Sequence, residues 1–106
     1  MVHNLLVCMM HALDVFDGSR AIARLLILLH DNRGQGLPVT GMYRLMKERF
    51  CVARTATESS LRSAIELGLV EKYESGEFTL NTLTARGDVV AAKVKELEKA
   101  LTGNPV

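Results

Sequence analysis

The chain has 106 residues and a mass of 11.7 kDa, which allows one compact domain and excludes two. With 48% hydrophobic and 24% charged residues it has a globular balance, not a disordered one. Thirteen basic against twelve acidic side chains leave a net charge of +1, so bulk charge gives no argument for a nucleic-acid partner, and any such argument rests on where the charges sit.

Residues 2–16 read as a helix, with Val2, Leu5, Leu6, Met9, Met10 and Leu13 at helical spacing. Val7, Cys8 and Ala12 widen this stripe, so the helix needs cover on more than one side. The segment has no Lys or Arg and no small-x-small cleavage pattern, and Leu5-Leu6-Val7-Cys8 is a poor match to a lipoprotein box. Apolar runs such as residues 25–29 are far short of the roughly 20 residues of a membrane span. These features predict a soluble, cytoplasmic protein whose two cysteines, Cys8 and Cys51, are buried reduced thiols.

Asp17-Gly18 breaks the first helix, and Asp17 or Ser19 can cap a second over residues 20–30. Its inner stripe is Ile22, Leu25, Leu26 and Leu29, broadened by Ile27 and Leu28, and His30 at its end is expected against the terminal carbonyls. A polar, glycine-bearing loop over residues 31–36 and Pro38 leads through a brief extended segment to Thr40, a candidate N-cap. In the helix that follows, Met42, Leu45, Met46 and Phe50 point inward, and Tyr43, Arg44, Lys47, Glu48 and Arg49 form the polar remainder.

After the linker Cys51-Val52-Ala53, Thr55 and Glu58 have capping-box spacing for a helix ending near Leu67, with a left-handed Gly68 as its stop. Leu61, Ala64 and Ile65 are expected inside. Ser59 and Ser63 then face outward, flanked by Thr55, Ala56, Ser60, Arg62 and Glu66. Residues 69–74 and 77–83 read as a hairpin around Ser75-Gly76. Thr84 can cap a final helix to Leu101, in which Val90, Val94, Leu97 and Leu101 make a short heptad seam, and Gly103-Asn104-Pro105 marks a frayed end.

Two stretches carry a family resemblance. Residues 55–70, from Thr55-Ala56-Thr57-Glu58 to Leu67-Gly68-Leu69-Val70, look like a recognition helix running into the "Gly-Leu-Val" start of a wing. Leu83-Thr84-Ala85-Arg86-Gly87 looks like the "Leu-Thr-x-x-Gly" that closes the wing. In these stretches the chain resembles the winged helix-turn-helix transcriptional regulators, in their MarR- and PadR-like branches. The resemblance implies a mostly α fold with a small β-hairpin (α+β): a winged-helix domain over residues 19–83 between dimerisation helices at 1–18 and 84–106. It implies a homodimer that binds double-stranded DNA sequence-specifically, with the helix at 55–67 in the major groove.

The residue chemistry agrees with that docking. Short Thr55, Ser59, Ser60 and Ser63 allow close approach to a groove, and Arg54 and Arg62 can reach a base edge or a phosphate. Arg44, Lys47 and Arg49 on the preceding helix are candidates for phosphate contacts. Residues 38–63 hold these five cations against Glu48 and Glu58, a net +3, whereas residues 64–83 hold Lys72 against Glu66, Glu71, Glu74 and Glu77, a net −3. The acidic hairpin departs from the family pattern, because carboxylates repel phosphates. It favours a second reading, a protein–protein interaction module within a larger assembly.

Leu5, Leu6, Met9, Met10 and Leu13 with Val90, Val94, Leu97 and Leu101 are the expected dimer surface, because a core of this size leaves them uncovered. His3, Cys8 and His11 do not complete a metal site. A glycine-rich phosphate loop and a nucleophile elbow are both missing, so neither an enzyme nor a cofactor is expected. The sequence leaves a small-molecule effector open.

Overall fold

A computed structural model describes residues 21–103. Within them the order is α1 (Ile22–Asp31), α2 (Val39–Phe50), α3 (Arg54–Glu66), β1 (Val70–Ser75), β2 (Phe78–Leu83) and α4 (Ala85–Thr102). The helix expected at 2–16, its interface residues Leu5, Leu6, Met9, Met10 and Leu13, and the caps Asp17 and Ser19 lie outside the described residues.

Helix α1 is the centre of the core. Leu25, Leu26, Ile27, Leu28 and Leu29 are all buried, so the helix is apolar nearly all round and packs against α2, α3, α4 and β2. Met42, Met46 and Phe50 reach it from α2, Leu61 and Ala64 from α3, and Ala91 from α4. Strands β1 and β2 pair antiparallel from Val70↔Leu83 to Ser75↔Phe78. The extended segment before α2 joins them: Leu37 exchanges two backbone hydrogen bonds with Asn81, at 2.9 and 2.8 Å. The buried Asn81 also donates its side-chain amide to the Leu37 carbonyl at 3.1 Å.

The closing motif of the hairpin has a direct physical basis. The Thr84 hydroxyl accepts from the Gly87 amide at 3.0 Å, capping α4, and donates to the Gly68 carbonyl at 2.7 Å. It thus ties the start of α4 to the stop of α3, where Gly68 has φ +76°. Replacing Thr84 by Ala should cost about 1–2 kcal/mol in urea unfolding, with Ser recovering most of it. Equal losses for the two variants would show that the hydroxyl contributes little.

Two start signals are corrected. Helix α2 begins at Val39 with Pro38 at its N-cap, and α3 begins at Arg54 with Ala53 at its N-cap, so neither Thr40 nor Thr55 caps its helix. Helix α1 starts after Ala21, which has φ 58°. The inward face of α3 is also rotated from the expected one: Thr57 and Ser60 are fully buried and Ile65 is 36% exposed. The small residues Thr57, Ser60 and Ala64 share this buried face with Leu61. Within α3, the Thr57 and Ser60 hydroxyls are satisfied by the carbonyls of Ala53 and Ala56.

Cys51 is exposed, left-handed (φ 58°) and disulfide-bonded, so the expectation of a buried reduced thiol is overturned at this position. It sits in the turn between α2 and α3, where a side chain projects outward. The compartment argument drawn from reduced thiols falls with it. No helix among the described residues is long and apolar enough to cross a membrane.

Candidate nucleic-acid interface

Helices α2 and α3 are joined by the three residues Cys51-Val52-Ala53, and their outer surfaces form one basic face. Arg54, at the start of α3, lies with its guanidinium 4.8 Å from the centre of the Tyr43 ring on α2, so the two helices share a cation–π contact. Arg44, Lys47, Arg54, Thr55, Ser59 and Arg62 are exposed, and Ser63 is half-buried. Two of the arginines are only loosely held: Arg44 is 3.9 Å from Glu48 and Arg62 is 3.9 Å from Glu58, both one helical turn apart on open surface. Exposed pairs of this kind are worth about 0.3–0.5 kcal/mol, so either arginine can turn to a stronger acceptor at little cost.

Two expected contact residues are not on this face. Ser60 has no exposed surface, because it lies on the same side of α3 as Thr57 and Ala64, against the core. Its hydroxyl is already donated to the Ala56 carbonyl at 2.7 Å. Arg49, at the end of α2, is turned to the α1 and α4 side, where it pairs with Asp31 at 2.5 Å and lies over the Phe50 ring.

Asp31 is the hub of that side. It receives Arg49 from the end of α2 and Lys95 from the middle of α4, tying the end of α1 to both helices. Burial works to raise the Asp31 pKa, but the hydrogen bonds from Lys95 and Arg49 and their positive charges outweigh it, and the carboxyl lies below its ordinary 3.8. The neighbouring His30 is 3.5 Å from Asp88 and within hydrogen-bond reach of Arg33, not against terminal carbonyls. Its pKa is lowered from 6.5, first by burial and then by the charges of Lys95 and Arg33.

Both shifts have the same sign for stability. The unfolded chain takes up each proton at a higher pH than the folded one. The contribution is therefore present above the unfolded value and is lost as pH falls through the folded value. The protein should lose stability in two stages on acidification, below about pH 6.5 and again below about pH 3.8. Asp31→Asn should cost about 1 kcal/mol at pH 7, a modest figure because the pair is partly exposed, and the gap to the parent should close at acid pH. A gap that stays constant with pH, in urea unfolding at both values, would show that the Asp31 charge is not the cause.

The heptad seam of α4 divides. Val90 and Val94 are half-buried against the core of their own chain, whereas Leu97 and Leu101 are 37% and 44% exposed beyond it. Val89 is 62% exposed on the same helix. Sequence reasoning passed over Tyr43 as polar remainder. Its position eleven residues before Arg54 gave no local signal for the contact, which depends on the turn between the helices.

No family model matches the sequence, and no curated relative does. Solved structures do match. SSV1 F-93 superposes with a TM-score of 0.67 at 20% identity, over 77% of this chain and 89% of that one. AF1382 from Archaeoglobus fulgidus gives 0.66 at 13%, over 87% and 98%. MepR, a transcription regulator of the Staphylococcus aureus multidrug efflux pump MepA, gives 0.64 at 15%, over 86% and 65%. At these identities the likeness establishes the fold: the chain is an α+β winged helix.

Proposed function

We propose that this winged-helix chain is a sequence-specific double-stranded DNA-binding regulator that acts as a homodimer, without enzymatic activity. The observation that carries the reading is the α2–α3 surface, on which the short and exposed Thr55 and Ser59 fall between the exposed Arg54 and Arg62 along α3. Such a surface lets the backbone of α3 approach a major groove while arginines reach base edges or phosphates. The structural likeness to MepR, a transcription regulator, agrees with it.

Arg54, Thr55, Ser59, Arg62 and Ser63 would read the groove, and Arg44 and Lys47 would hold the flanking phosphates. Ser60 and Arg49 have no part in it. The exposed Leu97 and Leu101 would supply the seam for the second copy, and the apolar Leu5, Leu6, Met9, Met10 and Leu13, read from the sequence, are the other interface candidates. Two-fold pairing then presents two α3 helices to successive major grooves. Mobility shifts on the DNA upstream of its own gene, across a salt series, test the proposal. Retarded bands with a steep loss in salt support it, and free DNA throughout at low salt would overturn it.

A further inference from the structure

In the turn between α2 and α3 the chain sets a cysteine where the backbone favours glycine. Cys51 closes α2 with φ 58°. L side chains rarely adopt that conformation, whereas glycine takes it without strain. The Cys51 amide donates to the Lys47 carbonyl at 3.0 Å, and the Val52 amide donates to the Met46 carbonyl at 3.1 Å. Phe50 and Val52 on either side are buried in the core. The turn is therefore anchored, and Cys51 is left on the surface just ahead of Arg54.

Its sulfur is not a free thiol, since Cys51 is disulfide-bonded. The sequence contains one other cysteine, Cys8, which lies outside the described residues in the apolar stretch read at 2–16. Within a single chain the partner of Cys51 can only be Cys8. A side chain kept at a left-handed position, exposed, and in a bond that spans about 40 residues of sequence has more to do than fill a turn.

We propose that Cys51 is a thiol–disulfide exchange site, paired with Cys8, at which a dithiol releases the N-terminal segment from the α2–α3 turn. The exposed Cys51 is the sulfur that an incoming thiolate reaches. The thiolate bonds to Cys51 Sγ, the S–S bond breaks, and its electron pair leaves on Cys8 Sγ, which takes up a proton. The second thiol of the same dithiol then attacks the sulfur joined to Cys51 and expels Cys51 as a thiolate, which is protonated in turn. One protein disulfide and one dithiol become two protein thiols and one cyclic disulfide. Opening the bond also removes a cross-link that restricts the unfolded chain, so the reduced protein is the less stable form. The site does not depend on DNA binding.

Peptide mapping of the full chain, purified in air and alkylated before digestion without reductant, reads the bond directly. The expected result is a cross-linked pair of peptides that contain Cys8 and Cys51. Dithiothreitol should open the bond in the folded protein at a rate within about tenfold of that in urea, followed by alkylation. The melting temperature should then fall by at least about 5 °C. Cys8→Ser and Cys51→Ser should each show the same fall, with no further effect of dithiothreitol on either. Serine is close to cysteine in size, Cys51 is exposed, and far-UV circular dichroism confirms that each variant is folded. The proposal is overturned if both cysteines are alkylated without reductant, or if Cys51 is joined to Cys51 of a second copy. It is equally overturned if folding protects the bond more than about tenfold, or if opening it lowers the melting temperature by less than expected.

Discussion

Replacing Gly87 by Ala is expected to destabilise the protein by about 3–5 kcal/mol, the largest effect of any glycine-to-alanine change among the described residues. Gly87 lies in the first turn of α4, packed on the backbone of Leu69 just before β1. A Cβ there would stand 1.9 Å from the Leu69 carbonyl oxygen and 2.8 Å from its carbon. Both are backbone atoms, so no side chain can swing aside. The Leu69 carbonyl is itself held by the Thr84 amide at 3.0 Å, and cannot retreat without loosening the cap of α4. The start of α4 would have to lift off the start of the wing. Gly68→Ala is the control, because its φ is +76° but nothing lies within 4 Å of a Cβ there. It should cost about 1–2 kcal/mol from backbone conformation alone. Urea unfolding distinguishes the two, and equal losses would show that the close approach does not matter.

The second large effect concerns DNA. Converting Arg54 and Arg62 to Ala together should weaken duplex affinity about 100-fold and flatten the slope of log affinity against log salt by about 2. The two guanidiniums bracket the exposed Thr55 and Ser59, and Arg62 also neutralises Glu58. Without Arg62 that carboxylate would face the phosphates unpaired. The fold should survive, since both side chains are exposed and the contact of Arg54 with Tyr43 is worth only about 0.5–1 kcal/mol. Unchanged affinity and slope in the folded double variant would remove α3 from the interface. By contrast, Arg49→Ala should act mainly on stability, through Asp31.

Much of the fold could be read before any coordinates. Leu25, Leu26 and Leu29, Met42 and Met46, and Leu61 and Ala64 repeat at helical spacing, and such spacing marks a buried face whatever the surroundings. Gly68 and Thr84 punctuate α3 and α4 because left-handed backbone and amide capping are properties of the residues themselves. The outward position of Thr55, Ser59 and Arg62 follows from the same periodicity.

The errors have a common cause. Ile65 was expected inside and Ser60 on the flank of the outward face by counting around α3 from Leu61, but the helix turns Thr57, Ser60, Leu61 and Ala64 to the core, and that orientation is set between helices, not within one. Arg49 looked like one more cation on the basic face until Asp31, eighteen residues earlier, and Lys95, on the last helix, were brought to it. Within residues 21–103 the sequence by itself thus determined the elements, the stop of α3 at Gly68 and the outward position of Thr55, Ser59 and Arg62, because these depend on neighbours one turn away. Only the tertiary structure decided which charges are free to leave their own molecule and which serine is core. Those outcomes depend on groups that come together only when the chain closes on itself.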